Sequence, residues 1–510
     1  MKNNKSKNRS SLRWILKVVA SDRFFWGVVV LLVIQAGWIA ISGSYPMAFD
    51  EDFHLGLIKI YSHHPNPFWT GQVAGGDAYG AVARDPSYLY HYLMSFPYRF
   101  ISLFTTSLHL QVLLLRFMNI GFFAIGLVAY RRLLLKTKVS KSLVHITLLI
   151  LVLIPVTSLL AAQINYDNLF IPLTGLSLLL TLQLYNSTNK KRINVRTLLL
   201  LLLVCLFTAI VKYAFLPIFV AIVGYITVTT WRQFSSFVEF ISALKRGLTK
   251  VSLVTLVALI MANLMVGMLF VERYGVNLVR YHKPIADCAE VLNYDHCQYY
   301  GPWIRDYNFK QQKINSNRSP VAYSYEWLYG MWLRSFFSVD GPRANFETRG
   351  PLTAPAISAL LFGVSGLVAF IWCSKSIWRR YNRPALWLIS ATTLIYTALL
   401  WLEEYRLYLE TGRPVAINGR YLLPVLPFLI LFAALGIKTV FENRPRLQLA
   451  IAGTAVVCLL WGGGALTYIL RSNDQWLWPN NQMVISVNRT VRNAVGPVTP
   501  GYYAPTQFMR

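Results

Sequence analysis

A chain of 510 residues that is 55% hydrophobic and 14% charged, with a mean hydropathy of +0.44, is too apolar for a soluble protein and has the composition of a polytopic membrane protein. Its formal charge of +28 and pI near 10 would, in a soluble protein, raise nucleic acid as a partner. Topology accounts for the charge instead. With the chain divided into eleven apolar spans, the segments 1–23, 131–141, 190–196, 231–250, 375–383 and 438–446 hold 27 of the 49 Lys and Arg but only three acids, Asp22, Glu239 and Glu442. That is the positive-inside pattern, and no nucleic-acid partner is expected.

The basic N-terminus, 1–23, precedes a first span from Phe24 to Ser42, close to the ~20 residues that cross a bilayer. The run is too long for a signal-peptide core and lacks a small-residue cleavage site, so it is expected to stay in place with the N-terminus in the cytoplasm. The external loop that follows, 45–108, opens with Asp50-Glu51-Asp52 and His54. Carboxylates beside an imidazole at a membrane surface suit acid/base work on a substrate presented from the membrane, or a divalent Mg or Mn held by Asp50 and Glu51. The plainer reading is an acidic helix start that favours the macrodipole, with His54 exposed. Further along, Asp85-Pro86-Ser87 reads as the start of an interfacial helix carrying tyrosines at 88, 90, 92 and 98.

The second span, about 109–130, descends to Arg131-Arg132, and the third, about 143–161, returns to Gln163-Ile-Asn165-Tyr166-Asp167-Asn168. Asp167 is the only acid between Asp85 and Glu239, and it is either a cap for the fourth span or a functional carboxylate near the bilayer. The apolar stretch from Leu198 to Thr230 is too long for one helix and is interrupted by Lys212, which makes it two spans meeting on the outer side. Lys212 either snorkels to the interface or serves the site. The N-terminal module 24–270 closes with a seventh span, about 251–270, and an external segment, 271–352, is long enough for a small subdomain or lid. Residues 353–470 supply the remaining spans, with Arg420 and Tyr421 at the outer mouth of a proline-bent helix, and 471–510 form an external tail.

Cys205, Cys373 and Cys458 fall in apolar spans, whereas Cys288 and Cys297 share the external segment, where an oxidising compartment permits a disulfide. Collected at the outward ends are the acids Asp50, Glu51 and Asp167, and the basic groups His54, Lys212 and Arg420. The acids could deprotonate an attacking hydroxyl, and the cations could neutralise a phosphate leaving group.

On these residues the sequence resembles a family. Asp50-Glu51-x-x-His54, Asp85-Pro86-Ser-Tyr-Leu-Tyr-His91, Leu115-Arg116-Phe-Met-Asn119, Asn165-Tyr-Asp167, Lys212 and Gly419-Arg420-Tyr421-Leu-Leu-Pro424 together look like the GT-C superfamily of integral-membrane glycosyltransferases. The set is most similar to the bacterial DUF2142-type membrane proteins, beside the protein mannosyltransferases and aminoarabinose transferases. The resemblance covers most of residues 20–440. It implies a GT-C-like all-α bundle of about eleven transmembrane helices with external loops carrying interfacial helices, set in the plasma membrane among its lipids. It also implies a first-loop acid as catalytic base, a second outer acid assisting it, and a polyprenyl-phosphate-linked sugar as donor. Asp50, Glu51 and Asp167 are then the catalytic candidates, with His54, Lys212, Arg420 and Tyr421 binding substrate. Asp52 departs from the pattern as a third acid, and the external segments are too short for a large periplasmic domain. The first leaves open which of Asp50, Glu51 and Asp52 reacts; the second favours a glycan or lipid acceptor over a protein sequon. A flippase or other transporter of lipid-linked sugars and a noncatalytic assembly protein are the alternatives; a transporter should bury charge at mid-membrane, whereas these charges sit at span ends.

Overall fold

The computed structural model describes residues 14–64, 66–69, 71–312, 319–336 and 353–499. Most of the basic N-terminus, the stretch 337–352 of the external segment and the end of the tail lie outside the described residues. Among the described residues the chain is helical, with no strand beyond one isolated antiparallel bridge between Gly43 and Leu477. Eight helices are long and apolar enough to cross a membrane, and a bent pair makes a ninth. Two further apolar helices, Val195–Val211 and Leu426–Val440, are shorter, at 17 and 15 residues.

The first span is the helix Asp22–Ser42, started by the Ser21 hydroxyl, which accepts from the Phe24 N–H at 3.2 Å. It packs beside Leu108–Leu135, which in turn runs along Asp167–Thr188. Gly126 makes that last contact close: a Cβ there would stand 2.7 Å from Ile171 Cγ2, so only glycine lets the two helices approach so far.

The third span is broken. Lys141–Leu153 and Pro155–Ala161 meet at 72°, because Pro155 has no N–H to donate and forces Ile154 into an extended conformation. A carbonyl released by the break, that of Leu153, accepts from Gly464 N at 2.7 Å, so the backbone is satisfied from another helix. The bend delivers the turn Gln163–Asn168 into the interior, where all but Tyr166 are buried.

Several span limits differ from the hydropathic division. The seventh span continues through a π turn, Val271–Gly275, to Tyr281, so the first part of the external segment is membrane helix prolonged. The ninth runs to Thr411, well beyond the apolar residues that betray it. The tenth does not bend at its prolines. A 3-10 turn, Gly419–Leu422, comes first and the helix Leu426–Val440 starts after it, with Pro427 in the first turn where its missing N–H costs nothing. In the external segment, Cys288 and Cys297 form a disulfide with their Cα atoms 5.8 Å apart. The tail folds back on the end of the first span, with Ser44 N donating to Trp476 O at 2.8 Å and Trp38 Nε1 to Asn488 Oδ1 at 3.1 Å.

Candidate active site

The site forms at one end of the bundle from four chain segments: the start of the first loop, the turn 163–168, the break at Lys212 and the 3-10 turn Gly419–Leu422. The first loop reverses sharply. Phe49 and Asp50 both hold left-handed backbone, with φ of 60° and 62°, and the helix Glu51–His63 begins directly after them. Two successive non-glycine residues in that region are strained, by ~1–3 kcal/mol each. The surroundings that hold them are polar and specific. The Phe49 carbonyl accepts from Arg420 Nη1 at 2.8 Å and from Asn165 Nδ2 at 3.0 Å.

This turn sends neighbouring carboxylates in opposite directions. The Asp50 side chain is 64% exposed, with Oδ2 accepting from Arg420 Nη2 at 2.7 Å. Glu51 is fully buried. Its Oε1 accepts from Arg116 Nε at 2.8 Å and Ile164 N at 3.2 Å, and its Oε2 from Arg116 Nη2 at 2.7 Å and Met47 N at 2.9 Å. Arg116 is equally buried and also donates to the carbonyls of Ala40 and Gly43. Glu51 and Arg116 therefore make a saturated internal pair that locks the first loop to the second span. Asp52 is exposed.

The second acid is tied to the second cation. Asp167 lies in the first turn of the helix Asp167–Thr188 but does not cap it; the Asn165 carboxamide accepts from Asp167 N at 2.9 Å and does that work. The Asp167 carboxylate instead forms a buried ion pair with Lys212 through Oδ1, and its buried Oδ2 has no partner among the described residues. Lys212 is in extended backbone between Val195–Val211 and the short turn Tyr213–Phe215, so its ammonium turns inward rather than snorkelling. The Ser87 hydroxyl latches this break by accepting from Tyr213 N at 3.0 Å, and Ser87 N donates to Asp85 Oδ1 at 2.9 Å.

Aromatic rings join the two ion pairs. Lys212 Nζ stands 4.5 Å from the centre of the Tyr166 ring and 5.4 Å from that of Tyr421, and the Arg420 guanidinium stands 5.2 Å from the same Tyr421 ring. A continuous chain of contacts thus runs from Asp50 through Arg420, the Phe49 carbonyl and Asn165 to Asp167 and Lys212. Arg420 is 5% exposed, and its buried Nε has no partner among the described residues.

His54 is not exposed, as the acidic-helix reading would have it. Its Nδ1 lies 2.8 Å from His91 Nε2, the rings stack, and Tyr166 meets His54 edge-on at 4.6 Å. Burial pushes His91 down to about 3 and holds His54 well below the ordinary histidine value, the nearby His91, Arg420 and Lys212 adding to the latter. Both rings are neutral at physiological pH, so the pair is a rigid polar support rather than a charge.

The carboxylates as placed do not fit a divalent ion shared by Asp50 and Glu51. Glu51 spends both oxygens on four donors, and Asp50 faces a guanidinium; among the described residues no group of three or more His, Cys, Asp or Glu is arranged to hold a metal.

Sequence reasoning did not assign Arg116, Asn119, Asn165 or His91 their parts. Asn119 Oδ1 accepts from the Tyr90 hydroxyl at 2.8 Å and from Asn168 Nδ2 at 3.2 Å, which clamps the turn 163–168 to the second span and the first loop. An Arg and an Asn one turn apart inside an apolar helix were the available signal, since each needs buried partners there. No family model matches the chain, and no curated protein matches it.

Proposed function

We propose that the chain is a membrane glycosyltransferase of the GT-C type that moves a sugar from a polyprenyl-phosphate donor to a cell-envelope glycan or lipid acceptor. On this reading the bundle makes eleven crossings, counting the bent pair and the two shorter helices. The N-terminus is cytoplasmic and the site opens on the outer face of the plasma membrane. The observation that carries the proposal is the exposed Asp50 carboxylate held against the buried Arg420, with Lys212 near the same Tyr421 ring.

Donor phosphate and the Asp50 carboxylate compete for Arg420. When the phosphate takes the guanidinium, Arg420 keeps its bond to the Phe49 carbonyl, and Asp50 is released as a base. The acceptor hydroxyl attacks the anomeric carbon, the bond from that carbon to the phosphate oxygen breaks, and Asp50 takes the hydroxyl proton. Polyprenyl phosphate leaves with the electron pair, its charge neutralised by Arg420 and Lys212. Asp167 sets the position of Lys212, and the Tyr421 ring contacts both cations. Glu51, by contrast, acts as an anchor for the loop. The placement of the charges at helix ends, with Asp50 open to solvent, favours surface chemistry over a transport path at mid-membrane.

The test is transfer of radiolabelled sugar in membranes supplied with lipid-linked donors. Asp50→Asn is expected to lower transfer by ~10²–10⁴-fold, the usual loss with a general base, while the protein stays folded. Asparagine also tolerates left-handed backbone, so the turn survives. Full activity in Asp50→Asn would remove the acid/base assignment. Movement of lipid-linked sugar across the bilayer without a new glycosidic bond would replace the enzyme with a transporter.

A further inference from the structure

At the far end of the helices Asp167–Thr188 and Val195–Val211 from the candidate site lies a second feature that sugar transfer does not use. A cavity of about 770 Å³ opens there between the turn 187–196, the helix Phe237–Leu248 and the start of Leu253–Phe270. Lys190, Lys191, Arg192, Arg196, Arg246 and Lys250 line it, and no acid does. Glu239 stands near the rim and is committed to Lys191, at 2.9 Å, and to Ser235 N, at 2.8 Å. Among the described residues the other five cations have no ion-pair partner. The positive-inside bias explains basic residues on this face of the bundle. It does not explain their convergence around one cavity, where like charges repel unless an anion joins them.

The walls add donors of other kinds. Thr255 supplies a hydroxyl, which accepts from the Ser252 hydroxyl at 2.8 Å, and the helices Val195–Val211 and Leu253–Phe270 begin at the cavity with the positive ends of their dipoles there. The neighbouring surface is apolar. Phe237 and Val238 are 76% and 73% exposed on an amphipathic helix, with Trp231 before it and Leu253 and Val254 after it, all unburied. Such a helix lies in the headgroup layer with its apolar face toward acyl chains.

We propose that this cavity binds a phosphate-bearing anion, and that its source is the headgroup of an anionic phospholipid in the leaflet opposite the candidate active site. The cations take the phosphate, and the apolar residues on either side take the chains. A cavity of this volume suits a headgroup.

The full-length protein in detergent would be titrated with short-chain phosphatidylglycerol, short-chain phosphatidylcholine and inorganic phosphate. Saturable binding of phosphatidylglycerol is expected, with phosphatidylcholine far weaker. Arg196→Gln/Arg246→Gln/Lys250→Gln should weaken it by roughly tenfold or more. Arg379→Gln/Arg444→Gln/Arg446→Gln, which removes as much charge from the same face outside the cavity, should leave it unchanged. Equal loss in both triple variants, or equal binding of the two lipids, would overturn the proposal. If inorganic phosphate binds as tightly and depends on the same residues, the site is for a soluble anion and the lipid source is wrong. A photoactivatable phosphatidylglycerol on the wild-type protein gives a readout free of any folding defect. Adducts on 231–255 are expected, and adducts confined to other segments would refute the site.

Discussion

Asp50 and Glu51 are adjacent in sequence and opposite in circumstance, and the difference sets what each substitution should do. Glu51→Gln leaves Arg116 buried without its carboxylate, a loss of about 3–5 kcal/mol of stability for a broken internal pair. Thermal unfolding in detergent should show it, together with reduced insertion, whereas Asp50→Asn should unfold close to wild type. Equal melting of both variants would place Glu51 outside the scaffold. Asp167 and Lys212 permit a finer separation. Asp167→Asn or Lys212→Met alone strands a buried charge and should destabilise, while the double variant strands none and should recover much of the stability. Transfer should not recover with it, because the phosphate still lacks Lys212; recovery of both would make the pair structural only. The histidines supply a pH signature. Burial depresses both folded values below the ordinary 6.5, that of His91 to about 3, so the unfolded chain binds protons that the native protein does not as pH falls below 6.5. Stability is therefore full above about pH 6.5 and falls below it, by up to ~1.4 kcal/mol per pH unit for each histidine. Replacing His91 with Gln should flatten that slope between about pH 6.5 and pH 5 in unfolding measurements.

Among the elements, apolar runs announced the spans and the cost of charge near a bilayer announced Asp50, Asp167, Lys212 and Arg420. What the sequence could not convey is direction. Whether Asp50 or Glu51 faces out depends on two left-handed residues at 49 and 50, and these are stabilised by Arg420 and Asn165 from remote segments. Hydropathy does not mark the start of the tenth span, because apolar Leu422 ends a 3-10 turn and Leu423 follows it before the helix Leu426–Val440 begins. The partners His91 and Arg116 were visible as residues, but nothing local says that an imidazole 37 positions away, or a guanidinium 65 away, meets the first loop. One glycine makes the placement of Arg420 testable at this scale. A Cβ on Gly419 would stand 2.7 Å from Ser335 N and 2.8 Å from Met331 O, so the helix Pro320–Phe336 can approach the turn only while residue 419 has no side chain. Gly419→Ala should push the turn away from that helix, with about 1–3 kcal/mol lost to overpacking. A raised KM for the lipid-linked donor is expected, since the cation moves without being removed. Unchanged KM and melting temperature would mean that the turn does not need this close contact.

Across the whole molecule, the two ends of the helix Asp167–Thr188 carry opposite kinds of chemistry. One end holds paired charges, aromatic rings and the exposed carboxylate of Asp50; the other holds six cations around an open cavity, of which Lys191 alone is ion-paired among the described residues. A 22-residue helix is about 33 Å long, enough to separate two faces of a bilayer. On the proposed orientation the cationic end is cytoplasmic and the candidate active site lies on the outer face. Both assignments stand or fall together in a labelling experiment. Asp52 and Arg192 are exposed at the two ends; Asp52 lies outside the proposed transfer chemistry, and Arg192 marks the wall of the cationic cavity. With the three free cysteines replaced by alanine, Asp52→Cys should react with a membrane-impermeant maleimide on intact cells. Arg192→Cys should react only after permeabilisation. Labelling of Arg192→Cys but not Asp52→Cys on intact cells would invert the protein in the membrane and put Asp50 on the cytoplasmic face. Asp50 could then not serve an acceptor in the outer envelope, and an acceptor on the cytoplasmic side would have to replace it.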